Sequence, residues 1–87
     1  QKARRLSVVQ PRVTSTLLRQ APATVVVIFI VDENGRVQDP KVQRTTNPSF
    51  DRSALAAIKQ WKFEPAKVQG RSVSSRLRQS FSFENNT

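Results

Sequence analysis

Val25 to Val31 is apolar at every position, with Val25, Val27, Phe29 and Val31 on one parity and Val26, Ile28 and Ile30 on the other. A short β-branched run of this kind predicts a strand, and apolar residues on both parities predict a central strand covered on both faces. Asp32-Glu33-Asn34-Gly35 follows, and Asn and Gly accept the positive φ that a tight reversal needs. Arg36 to Thr46 reads as the returning strand. Pro40 lies inside it and has no N–H to donate, so this strand is expected at an edge or with a bulge near Asp39-Pro40.

From Asn47 to Phe63 the period changes. Phe50, Ala54, Leu55, Ile58 and Trp61 recur mostly at spacings of three and four, which puts one apolar stripe on one helix face. Two starts are open. With Asp51 as N-cap, Phe50 and Leu55 fall at the positions of a hydrophobic staple. With Asn47 as cap, Pro48 takes the first helical position, where its missing N–H costs nothing. Pro65 stops the helix either way, and Gly70 marks the next loop. The last segment alternates again: Val73, Leu77, Phe81 and Phe83 point one way, with Ser75 and Gln79 as polar members of that parity. Ser74, Arg76, Arg78, Ser80 and Ser82 point the other way.

Upstream, residues 1–12 are polar and basic and read as a tail or a short extended segment, with Leu6, Val8 and Val9 as apolar anchors. Thr14 or Ser15 is placed to cap a short helix through Leu17, Leu18 and Arg19, ended by Pro22. The expected organisation is a tail over 1–12, one domain over 13–84 and a frayed end over 85–87. The fold class is α+β: a three-stranded antiparallel or mixed sheet, one main helix on one face and a short N-terminal helix. The doubly apolar strand is expected in the middle, flanked by the proline-containing strand and the final strand. Leu55, Ile58 and Trp61 cover one face, and the outer edge of the final strand stays unpaired.

Composition narrows the chemistry. The 87 residues hold no His, Cys, Met or Tyr, which removes the thiol nucleophile, the imidazole base and the usual zinc ligands. Asp32, Glu33 and Asp39 sit in a hairpin too short to wrap calcium. The serines have no histidine partner. No catalytic residue, metal or cofactor is expected, and the chain reads as a binding module. Its net charge of +9 suits phosphate, anionic lipid or an acidic protein, but apart from Lys2–Arg5 the charges are spread out. A basic nucleic-acid-binding domain is one alternative; Phe29, Phe81 and Phe83 at core parities speak against a stacking platform. Trp61 on a helical stripe reads as core, and Gly35 as a backbone requirement of the turn.

Val25-x-Val27-x-Phe29-x-Val31-Asp32-x-x-Gly35-Arg36-Val37, Phe50-Asp51-x-x-Ala54-Leu55, Trp61-Lys62-Phe63-Glu64-Pro65-Ala66 and Gly70-x-x-Val73 stand in this order. Together they resemble the C-terminal domain of the TonB family of energy transducers, over about residues 10–84. The resemblance implies an α+β periplasmic domain of a Gram-negative cell that grips the TonB box of an outer-membrane receptor as a strand added beside the last strand. It also implies an inner-membrane anchor and motor contact in a part of the protein upstream of this sequence. Partner-binding positions are then the strand edge and flank: Gln10, Pro11, Arg12, Ser74, Arg76, Arg78, Ser80 and Ser82. Gly35, Phe50, Leu55, Ile58, Trp61, Phe63 and Pro65 are structural. Gln10-Pro11-Arg12-Val13-Thr14 departs from the family's Pro-x-Tyr-Pro, and Ala23 stands where glycine is common. The same edge could pair two copies into a homodimer, and a same-fold module with another envelope partner is a further alternative.

Overall fold

Ala23, Val25, Val27, Phe29 and Val31 are shut away from water, whereas Ile28, one residue out of phase, is 36% exposed. That contrast sets the architecture: the central strand has one face shut under a helix and one on which Val26 is still buried but Ile28 reaches solvent. The computed structural model describes residues 1–84. In chain order the elements are β1 (Arg4–Ser7), α1 (Ser15–Leu18), β2 (Ala23–Val31), β3 (Val37–Thr45), a 3-10 turn (Pro48–Phe50), α2 (Asp51–Lys59), β4 (Lys62–Glu64), β5 (Ala66–Val68), β6 (Arg71–Val73) and β7 (Ser75–Phe83). The fold is α+β, as the sequence predicts.

The main sheet has the order β3-β2-β7, with β2 antiparallel to both neighbours. The apolar strand is therefore central and the proline strand is an edge. Register with β7 is unbroken from Ala23↔Phe83 to Val31↔Ser75. Register with β3 slips twice, once between Gln38 and Lys41 and once between Arg44 and Val42. The first slip is the bulge expected at Asp39-Pro40, and Asp39 takes φ +50° there.

Helix α2 covers the odd-numbered face. Phe50, Ala54, Ala57, Ile58 and Trp61 pack with Val25, Val27, Phe29, Val31, Phe81 and Phe83 in one cluster. Each fully buried Val or Phe side chain contributes about 1.5–3 kcal/mol of transfer free energy. The aromatics interlock: Trp61 meets Phe81 edge-on at 5.6 Å, and Phe50 lies 4.6 Å from Phe83. Ile58 and the small Ala54 and Ala57, which let the helix approach the sheet, are the deep residues of α2, while Leu55 is only partly buried.

Several local expectations are corrected. The helix ends at Lys59, not at Pro65, so Trp61 lies just beyond it. The chain then turns extended because Lys62–Glu64 finds a β partner in Arg4–Ser7. Of the two starts left open, the Asn47 one is used, but for the 3-10 turn: Asn47 Oδ1 accepts from Ser49 N at 3.0 Å with Pro48 in the first position. Helix α2, which follows from Asp51, has no side-chain cap of its own. Leu6 and Val8 are 62% and 48% exposed and anchor nothing; Leu6 falls in an irregularity of β1, and only Val9 packs against the core. Val73 belongs to β6, because the chain inserts a separate hairpin before the final strand. Gln69 (φ +52°) and Gly70 (φ +80°) form its two-residue turn, a pair of left-handed residues that matches the twist of the flanking strands. Of the two candidate caps for α1, Thr14 is used, its hydroxyl accepting from Leu17 N at 3.1 Å.

Candidate partner-binding edge

Which backbone groups of β7 face outward follows from the other side of β2. Thr24 gives its carbonyl to Thr46 N at 3.0 Å and its N–H to Thr46 Oγ1 at 2.9 Å, both on the β3 side. At the far end Asp32 N donates to Arg36 O at 2.9 Å on that same side. Even-numbered groups of β2 thus point to β3, and odd-numbered ones to β7. In an antiparallel pair the N–H and C=O of a residue point the same way, and opposed residues exchange both bonds. Leu77, Gln79 and Phe81, opposed to Phe29, Val27 and Val25, are therefore the residues bonded back to β2. Arg76, Arg78, Ser80 and Ser82 aim their N–H and C=O groups at the outer edge.

Among the described residues no strand pairs with that edge. One acceptor on it is taken up locally: Gln79 Nε2 donates to Ser80 O at 2.8 Å. Gln79 belongs to the helix-side parity, so sequence alternation gave no hint that its amide reaches round to the rim. Beside the edge lies a slot lined by Ala3, Arg4, Arg5, Phe63, Leu77 and Gln79, wedged between β1 and β7. An extended segment laid against β7 would run along it.

The predicted flank residues divide. Arg76, Arg78, Ser80 and Ser82 are exposed and share the helix-free face of the sheet; Ser74, exposed, precedes β7. Gln10, Pro11 and Arg12 lie in the coil between β1 and α1, and no hydrogen bond among the described residues joins them to β7. Just ahead of them Val9 is pinned, its carbonyl accepting from Trp61 Nε1 at 2.8 Å. Phe29, Phe81 and Phe83 are buried in the α2-side core and present no stacking platform.

The scaffold behind the edge is tied by two carboxylates. Asp32 Oδ2 accepts from the Gln38 side chain, and Oδ1 accepts from Arg36 N and Asn34 N, each at 2.9 Å. These bonds, the Gln38 amide foremost, hold the Asp32 carboxyl below its ordinary value. Glu64 is held low by the Arg4 guanidinium, which bonds and pairs with it, and by the Gln1 side chain at 3.0 Å. Arg4 thereby clips β1 to β4.

A family model described as the Gram-negative bacterial TonB protein C-terminal matches residues 17–84. The chain belongs to the TonB C-terminal domain family. It is similar to Protein TonB of two strains of Xanthomonas campestris pv. campestris, 35% identical over 60 residues, which is 68% of this chain. It spans only 27% of the length of those relatives. The solution structure of the Pseudomonas aeruginosa TonB C-terminal domain superposes with a TM-score of 0.78 at 26% identity, covering 99% of this chain and 89% of that one. The TonB-type fold thus extends over the N-terminal segment that the family match leaves out. No helix among the described residues is long and apolar enough to cross a membrane.

Proposed function

We infer that this domain is the receptor-gripping end of a TonB-type energy transducer. An extended segment from an outer-membrane receptor adds to β7 as a fourth strand of the main sheet. Backbone bonds to the outward groups of Arg76, Arg78, Ser80 and Ser82 give affinity, and the exposed side chains of the same residues give selectivity. The observation that carries this reading is the unpaired, outward-facing set of alternate N–H and C=O groups along a nine-residue strand. Membership of the TonB C-terminal family supports it.

On this reading the domain works in the periplasm. Force arrives from an inner-membrane motor through an anchor outside this chain, and substrate uptake follows when the receptor plug yields. The domain is a tether and performs no catalysis. In isolation the same edge pairs two copies, competing with receptor. Amide exchange tests the mode of capture: a saturating receptor N-terminal peptide should slow exchange at Arg76, Arg78, Ser80 and Ser82. Leu77, Gln79 and Phe81, already bonded to β2, should change little. Protection confined to α2 or β3 would contradict strand addition at β7.

A further inference from the structure

The face of the main sheet away from α2 carries apolar residues down its middle and cations on both margins. Residues directly opposed across strands share a face. The register therefore lays out three rows: Arg44–Val26–Ser80, Lys41–Ile28–Arg78 and Gln38–Ile30–Arg76. Val26 is buried, but Ile28 is 36% exposed and Ile30 partly so. Ile28 and Ile30 floor a depression walled by Asp39 and Lys41 of β3 and by Arg76 and Arg78 of β7. Its middle row reads cation, isoleucine, cation. The Cα atoms of Lys41 and Arg78 stand two strand spacings apart, about 9.5 Å.

None of Lys41, Arg44, Arg76 and Arg78 makes an ion pair among the described residues, and Asp39 is the one carboxylate lining the depression. The face is thus short of negative charge and has apolar surface to cover. A flat bilayer would meet the long basic side chains before reaching Ile28. A ridge of aliphatic side chains flanked by carboxylates meets both at once. A helix, about 10–12 Å across with its side chains, is as wide as this three-stranded face.

We propose that the helix-free face is a second docking surface, for an acidic amphipathic helix of a partner protein. Its aliphatic ridge seats on Ile28 and Ile30. Its carboxylates pair with Lys41 and Arg44 on one margin and with Arg76 and Arg78 on the other. Affinity at the β7 edge comes from main-chain groups of that strand, and the two sites share only the Arg76 and Arg78 side chains. The Lys41 and Arg44 margin on β3 belongs to the second site alone, so variants there separate the two readings.

The test is a titration of the domain with a fluorescent helical peptide of about four turns, carrying leucine along one stripe and glutamate on both sides of it. A matched peptide has lysine for glutamate. The glutamate peptide should bind, more weakly as salt rises, and the lysine peptide should not. The double variant Lys41→Glu/Arg44→Glu, on exposed positions of β3 remote from the β7 edge, should weaken binding at least about tenfold, a change of 1.4 kcal/mol. Asp39→Asn should strengthen it, since it removes a carboxylate that repels the acidic peptide while asparagine tolerates the same left-handed backbone. The double variant should leave capture of a receptor peptide at β7 unchanged. Equal binding of both peptides, or indifference to the double variant, would overturn the proposal. So would tighter binding of phosphatidylglycerol vesicles or duplex DNA that the same variant abolishes, assigning the face to lipid or nucleic acid.

Discussion

Gly35 and Phe63 hold each other's backbones. The Phe63 N–H donates to the Gly35 carbonyl at 2.9 Å, and the Phe63 carbonyl fills the space that a Cβ on Gly35 would need. Gly35 also sits at φ +81°, where an L side chain is strained. Through this contact the β2–β3 turn is locked to β4, and through β4 to β1.

Gly35→Ala should therefore destabilise the domain by about 2–3 kcal/mol, the cost of a strained backbone plus displacement of β4. Gly70 has a similar φ of +80° but open space where a Cβ would stand. Gly70→Asn, tolerated in that conformation, should be close to neutral. Urea unfolding of the two variants checks the contrast.

Trp61 joins the core to the N-terminal segment through its indole N–H and the Val9 carbonyl. Trp61→Phe keeps an aromatic ring beside Phe81 but loses that bond, a loss of about 1 kcal/mol. Exchange of the amides from Arg5 to Val9 should accelerate more than exchange in β2. Trp61→Ala should cost about 3–5 kcal/mol.

Stability should respond to acid through Asp32 and Glu64. Both carboxyls are held below their ordinary values of 3.8 and 4.5, so folding favours their ionised forms. Their contribution is fully present above those values and disappears as pH falls through the lower folded-state ones. Thermal melts should be level from neutrality down to about pH 5 and decline below about pH 4. Asp32→Asn with Glu64→Gln should flatten that decline.

Much of the fold is legible in local pattern. The strand order, the Pro40 bulge, the Asp32–Gly35 turn and the polar face of β7 all follow from residues within a few positions of each other. What local pattern misses is made by distant partners. Trp61 continues the spacing of Ile58, so the stripe runs past the true helix end; Lys62–Glu64 is extended because Arg4–Ser7, some sixty residues earlier, pairs with it. Hairpin β5–β6 has strands of only three residues each, too short for alternation to register. Ile28 and Ile30 read as covered because their side chains are apolar, yet α2 covers only the opposite parity. The edge itself was readable as a strand; which of its amides point outward needed the Thr24–Thr46 bonds.

The most direct measurement is the affinity of a receptor N-terminal peptide for Arg78→Pro, with Arg78→Ala as control. Proline removes an outward N–H and spares the bonds to β2, so far-UV dichroism should persist while binding falls at least about tenfold. The alanine variant, which keeps the N–H, should retain most of the affinity. Wild-type affinity in a folded Arg78→Pro domain would contradict capture along the edge of β7.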